Sequence, residues 1–573
     1  MTSFISAMNA CPTKKLGVKN SDVYTEEGLN DIRVSLFQML VRNCSPVYIY
    51  NIIQSADEKY IRDLVVMAFQ TRDIRGGKGE RDIFYSMLLS IITRVPQLAE
   101  PLIRLVPEYG CWQDLWHLYY PEKILSHFEV IKNDVKKAII DFTKWIFFED
   151  LSKLANNSKP SLLGKWLPRE DSKYHSLACI LASHFYPDIP LEEDSLCAYR
   201  KACSSLNRAL NTTEILMCES KKDIPSWSKI NPSHVPGRLF KKSKAAFLNG
   251  MLLTYKGRQF NHNYLDAQGS TRYPNNQERI QCRKNFIEYL EKALNGTVKI
   301  NGGNTVYPHE LVKEILENKN MTKEISDVIE SQWMQIRNEV LKSLSSETKN
   351  RIVPMSDFSG SMSGVPLYVS MALGILLSEI NNPVFKDYML TFDSNPFWLS
   401  FEGKKTLRDK VEHAIKYSKG LSTNFQKACE LILERLITYN VPASEAPSDL
   451  VVFTDMGFDQ ASNENVLFNT KNAQWQTHIQ MIRSNFEKYG YTAPRIVLWN
   501  LRAEYKDFHA KAKEDGVLIL SGWSPAIMKV ILSNNIEIKT PYQGLREILD
   551  NVRYDLVRET FDNEMTNILA KRV

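Results

Sequence analysis

The 573 residues hold few of the features that mark secreted, membrane-spanning or zinc-dependent proteins. The nine cysteines are an odd number at irregular spacings with no CxxC pair, which argues against a disulfide framework and a thiolate zinc site and fits free thiols in a reducing compartment. No run approaches the roughly 18 uninterrupted apolar residues of a membrane span, and the opening MTSFISAMNACPTKKLG lacks the basic start and apolar core of a signal peptide. The expectation is a cytoplasmic protein with no membrane partner. The ten histidines form no HExxH, there is no GxSxG elbow, and Lys78 in GGKGERD is followed by Gly79 where a Walker A loop needs Ser or Thr. With no catalytic constellation in view, the chain is expected not to be an enzyme.

What is present divides in two. From about Glu26 to Leu344 apolar residues recur three and four apart, as in Leu29, Ile32, Leu36 and Leu40, and this spacing predicts successive helices over 26–41, 59–71, 80–93, 131–149, 191–210, 279–294 and 322–344. Helices in succession without strands suggest an α-solenoid or irregular array, although no fixed-period repeat is visible. After Arg351 short β-branched runs alternate with amphipathic helices: Ile352–Met355, Lys386–Phe392, Leu450–Thr454, Arg495–Asn500 and Val517–Leu520 alternate with helical stretches near 365–380, 407–417, 424–436 and 475–489. That alternation predicts an α/β doubly wound, Rossmann-like sheet with helices on both faces, whose ligands bind beyond the carboxyl ends of the strands. The expected domains are an extension over 1–25, a helical domain over 26–348, the α/β domain over 349–540 and closing helices over 541–573. Residues 351–573 carry 25 Lys and Arg against 26 Asp and Glu, so the net charge of +6 arises wholly from the first 350 residues.

The first α/β strand runs into Asp357-Phe358-Ser359-Gly360-Ser361 and then a helix. One carboxylate and two hydroxyls at alternate positions of a tight loop are oxygen-only ligands, suited to a hard divalent cation. Thr423, in LSTNF, opens a later helix as a cap or a third hydroxyl ligand. Asp455 ends the buried run VVFTD, and Asp459 follows on the same loop. Each piece has a bland alternative, since a Ser-rich loop before a helix is often an N-cap and an Asp after a strand is often a turn residue. Their order along the chain favours a shared site of Asp357, Ser359, Ser361, Thr423 and Asp455 for Mg²⁺, or alternatively Mn²⁺ or Ca²⁺.

DFSGSMSG, LSTNF and VVFTDMGFDQA resemble the three metal-site loops of von Willebrand factor A domains. The resemblance implies that Ser359 and Ser361 coordinate the ion directly, that Asp357 acts largely through water, and that Thr423 and Asp455 complete the shell, leaving a position for an acidic side chain of a protein partner. With TFDSNP (391–396), PRIVLWNLR (494–502), GVLILSGWSPAIMKVIL (516–532), GGKGERD (76–82) and GKWLPRE (164–170), the chain is similar to domain-of-unknown-function family 2828, seen in plants, fungi and giant viruses. That family joins a helical region to an A-like domain and has no established activity. A more distant resemblance is to the Ro autoantigen group, whose HEAT-like (TROVE) helical ring binds RNA.

The basic surplus supplies RNA candidates: Arg75, Lys78 and Arg81 around the Gly-rich turn, and Arg238, Lys241, Lys242, Lys244, Lys256 and Arg258 interleaved with Phe240, Tyr255 and Phe260. Lys and Arg meet phosphates and rings stack on bases, whereas a solvated helix face with buried aromatics is the plainer alternative. The expected function is a non-catalytic binding or scaffold protein, with a metal adhesion site and a helical array open to RNA. The alternatives are a structural component of an assembly or virus particle with a vestigial metal site, and third a metal-dependent hydrolase.

Overall fold

A computed structural model describes the chain apart from residues 1–13, 17–21, 219–225, 251–253, 256–257, 260–271, 300–305, 319–320, 343–350, 393–395, 418–424, 458–477, 506, 533–539 and 571–573. It forms two compact units that do not follow the expected boundaries. The first comprises residues 1–91, 307–321 and 336–559, and the second 92–306, 322–335 and 560–573. The first 91 residues thus belong with the α/β part and not with the helical array.

The first unit is built on a six-stranded sheet. Its strands are β1 (Ile352–Asp357), β2 (Tyr388–Phe392), β3 (Trp398–Ser400), β4 (Asp449–Thr454), β5 (Arg495–Asn500) and β6 (Val517–Ser521). In space they run β3-β2-β1-β4-β5-β6, with every pair parallel except the β2–β3 edge. Both β1 and β4 are buried at all six positions, which explains their continuous apolar runs: a parallel strand covered on both faces has no solvated side to alternate with. Val353, Met355, Val452 and Leu498 face helices α4 (Phe425–Thr438) and α5 (His478–Lys488), meeting Ile432 and Phe486. The opposite face takes α3 (Val365–Glu379), where Ser356 Oγ donates to the Ser370 carbonyl at 3.0 Å. The edge strand β3 escaped the sequence reading because three residues are too few to show a period.

The expected continuous helix over 26–41 is broken. Asn30 adopts φ 63°, and Asp31 then caps helix α1 (Ile32–Met39) by accepting from the Arg33 and Val34 amides. Asn tolerates the left-handed conformation and Asp supplies a capping oxygen, so two turn residues override an apolar period that runs through them.

The Gly-rich turn is also not what its composition suggests. It follows helix α2 (Ile61–Arg72), and Lys78 is fully buried, with Nζ donating to the carbonyls of Phe37 and Leu40 at 3.0 Å each and to Ser521 Oγ at 2.6 Å. Lys78 is therefore corrected from RNA contact to internal clasp. Burial pushes its amine well below the ordinary lysine value. The glycines allow this approach: a Cβ on Gly77 would lie 1.8 Å from the Gln70 carbonyl oxygen, and one on Gly79 (φ 70°) would lie 2.0 Å from Tyr307 Oη. Arg75 and Arg81 of the same motif are exposed.

Among its described residues the second unit is helical apart from the two-residue strands Thr254–Tyr255 and Arg258–Gln259. The long helix Lys132–Ala155 gathers an aromatic cluster in which Phe147 meets Phe185 and Tyr199, at ring separations of 4.7 and 6.0 Å. A second cluster joins Phe240, Phe247 and Phe286. No described helix is long and apolar enough to cross a membrane.

Candidate metal centre

The site grows from the carboxyl ends of two adjacent central strands. Strand β1 ends at Asp357 and β4 delivers Thr454 and then Asp455, so the parallel pairing of the two strands brings both loops to one edge. Asp357 and Asp455 are both fully buried. Asp357 Oδ1 accepts from the Ser359 amide at 2.9 Å, and Oδ2 accepts from Thr454 Oγ1 at 2.9 Å. The hydroxyls of Ser359 and Ser361 lie 3.0 Å apart. Asp455 Oδ1 accepts from the Gly457 amide at 3.0 Å, whereas its Oδ2 is buried with no hydrogen-bond partner among the described residues.

Two carboxylates in one dry place repel each other. Burial first, and then the neighbouring Asp455, pushes the Asp357 carboxyl up to about 7. A proton or a cation would relieve this arrangement, since both carboxylates are buried. Met456, directly after Asp455, holds φ 72° although it is not glycine. Such strain costs on the order of 1–3 kcal/mol and gathers at functional positions.

The residues present fit a hard divalent cation. The donors are two carboxylates and two hydroxyls, all oxygen, and Asp455 Oδ2 is an acceptor that lacks a partner among the described residues. No group of three or more His, Cys, Asp or Glu side chains able to hold a metal occurs among the described residues, so the described part offers no zinc-type cluster. Thr423 lies outside the described residues, as does Asp459. The structure brings Asp357, Ser359, Ser361 and Asp455 to the same edge of the sheet.

The basic candidates are dispersed. On the helix Gly237–Phe247, Arg238 and Lys242 are exposed and Lys241 and Lys244 half-buried. Burial, and next the neighbouring Lys241, lowers the Lys244 amine to about 8. Lys256 lies outside the described residues, and Arg258 falls in a two-residue strand.

Sequence reasoning missed the segment after β5. Arg502 donates to the Ser361 carbonyl, and His509 Nε2 to the Met456 carbonyl at 2.9 Å. The one signal available was that Arg502 stands two residues past the carboxyl end of a strand.

Residues 351–566 match a domain of unknown function (DUF7788). Over 495 residues the chain is 27% identical to the uncharacterized protein L728 of Acanthamoeba polyphaga mimivirus, covering 84% of this chain and 78% of that protein.

Proposed function

We propose that this is a non-catalytic binding protein whose α/β unit is a von Willebrand factor A-like domain. Asp357, Ser359, Ser361 and Asp455, joined by Thr423, would hold a divalent cation, with Mg²⁺ the first choice. A bound cation would supply a positive centre able to accept an acidic side chain from a protein partner. The observation that carries this reading is the buried Asp455 Oδ2, without a partner among the described residues, beside a second buried carboxylate. The strand order with its antiparallel edge supports it, being the arrangement that sets a ligand crevice where the order reverses, at β1 and β4. The kinship to family 2828 rests on the sequence motifs and belongs with this proposal, as does a cytoplasmic location.

Titration of the full chain with Mn²⁺, followed by electron paramagnetic resonance, tests the proposal. One saturable site is expected in the wild type and none in Asp455→Ala, with circular dichroism unchanged. Equal binding by the two proteins would overturn it. A purely structural role in an assembly or particle is the competing reading, and it predicts that partner capture is indifferent to excess chelator.

A second reading concerns RNA. Arg238 and Lys242 are exposed on one helix beside half-buried Lys241 and Lys244, and like charges gathered on one surface gain from a polyanion. Binding of a small structured RNA should weaken steeply with salt, and Arg238→Ala with Lys242→Ala should flatten that dependence by about one to two phosphate contacts. An affinity indifferent to salt removes this reading.

A further inference from the structure

The carboxyl edge of the sheet carries more than the two loops of the candidate metal centre. Helix α1 ends over the neighbouring strands β5 and β6. Asn500, the last residue of β5, donates from Nδ2 to the Gln38 carbonyl at 2.9 Å, and Ser521, the last of β6, donates from Oγ to the Phe37 carbonyl. The Gln38 side chain returns the contact, donating from Nε2 to the Asp507 carbonyl at 3.0 Å. Nearby, the Tyr24 amide donates to the Phe508 carbonyl at 2.8 Å. Gln38, Asn500, Asp507, Phe508 and His509 are all buried. The N-terminal residues thus fix the segment that follows β5.

That segment in turn holds both metal-site loops by their backbones. Arg502 has its amide on Asn500 Oδ1 at 3.0 Å, and its guanidinium donates to the Ser361 carbonyl in the first loop and to Glu504. His509 donates to the Met456 carbonyl in the second loop, at the residue with the left-handed backbone. Tyr505 lies so close to Gly457 that a Cβ there would come within 3.1 Å of its ring. One connected run of side chains therefore reaches from α1 to the carbonyl beside one hydroxyl donor and to the carbonyl beside one carboxylate donor.

We propose that Arg502 and His509 are positioning residues for the candidate cation site and that the N-terminal segment, through Gln38 and Tyr24, is part of its support. This rests on the cation reading given above. The physical reason is that a ligand atom is only as well placed as the group that holds its backbone, and outer groups of this kind typically change metal affinity by 10–100-fold. An isolated 349–540 fragment would lack the partners of Asn500 and Asp507, so its two loops would be free to drift apart.

The test uses the full chain with Mn²⁺ as the probe, comparing wild type, Asp455→Asn, Arg502→Met, Arg502→Lys and Gln38→Leu. In parallel, amide hydrogen exchange over Gly360–Ser363 is measured in chelator. Arg502→Met should weaken Mn²⁺ about tenfold or more and speed exchange in the first loop. Arg502→Lys, which keeps one donor, should recover a large part of both, and Gln38→Leu should weaken Mn²⁺ several-fold. If Arg502→Met binds Mn²⁺ as the wild type does and leaves exchange unchanged, the positioning role is overturned. If the wild type binds no Mn²⁺, or Asp455→Asn binds it equally well, the cation reading fails instead. The exchange data then decide the support role alone: faster exchange in Arg502→Met that Arg502→Lys reverses upholds it, and unchanged exchange ends it.

Discussion

Two buried charge-bearing side chains in the same compact unit stand in opposite circumstances. Lys78 has three donors and meets three acceptors, two of them carbonyls at the end of α1, where the helix dipole also favours a cation. Asp455 keeps one oxygen with no partner among the described residues, sits beside a second carboxylate, and is followed by a strained Met456. The first is complete within the protein and therefore belongs to its architecture. The second is incomplete among the described residues, and on the proposed reading a cation would complete it. Both came from motifs that composition alone reads as functional, and it is hydrogen-bond satisfaction that separates them.

The sharpest way to break this contrast is Lys78→Met. It strands the buried Leu40 carbonyl and takes one donor each from the Phe37 carbonyl and the Ser521 hydroxyl, which keep only each other, and should lower stability by about 3 kcal/mol, read as a shift in the urea midpoint. A neutral result would mean that Lys78 is not a clasp. Next comes pH. Burial lowers His509 from 6.5 to about 4, so the unfolded chain takes up the proton first as the solution is acidified. The stability it contributes is therefore whole above pH 6.5 and drains away between about 6.5 and 4, by up to about 3 kcal/mol. Unfolding of His509→Gln across that window should show a shallower pH slope than the wild type, and equal slopes would contradict the buried neutral imidazole. Asp455→Asn in chelator should move the other way from Lys78→Met, gaining about 1 kcal/mol by removing one of two neighbouring buried carboxylates; a clear loss in thermal melts would show that Asp455 is already satisfied. Smallest is Arg75→Ala, on the exposed rim of the same Gly-rich turn, expected within about 0.5 kcal/mol of wild type.

The sheet was readable because its strands are buried on both faces and so appear as uninterrupted apolar runs, Leu450–Thr454 above all. Asp357, Ser359, Ser361 and Asp455 were readable as oxygen donors at strand ends, since their place beyond a strand follows from local order. Lys78 was not, because a cation amid glycines looks solvated until tertiary contacts from α1 and β6 enclose it. Arg502 and His509 escaped for a related reason: each acts on a backbone carbonyl far away in sequence, and carbonyls carry no sequence signature. The break at Asn30 and Asp31 was present as turn chemistry but lost to a strong apolar period. The division of the chain into units was hidden as well, since the N-terminal partners of β5 and β6 follow no periodicity at all.

Those long-range partners bear on how the chain is made. Gln38 and Asp507 are separated by 469 positions, and Lys78 and Ser521 by 443. At roughly 5–20 residues per second, Ser521 is synthesised about 20–90 s after Lys78. During that interval the lysine amine has only the Phe37 and Leu40 carbonyls to meet, Gln38 lacks its acceptor on Asp507, and closing so long a loop is entropically slow. The N-terminal segment thus completes its contacts with β6 and with Asp507 only late in synthesis, after nearly the whole chain has been made.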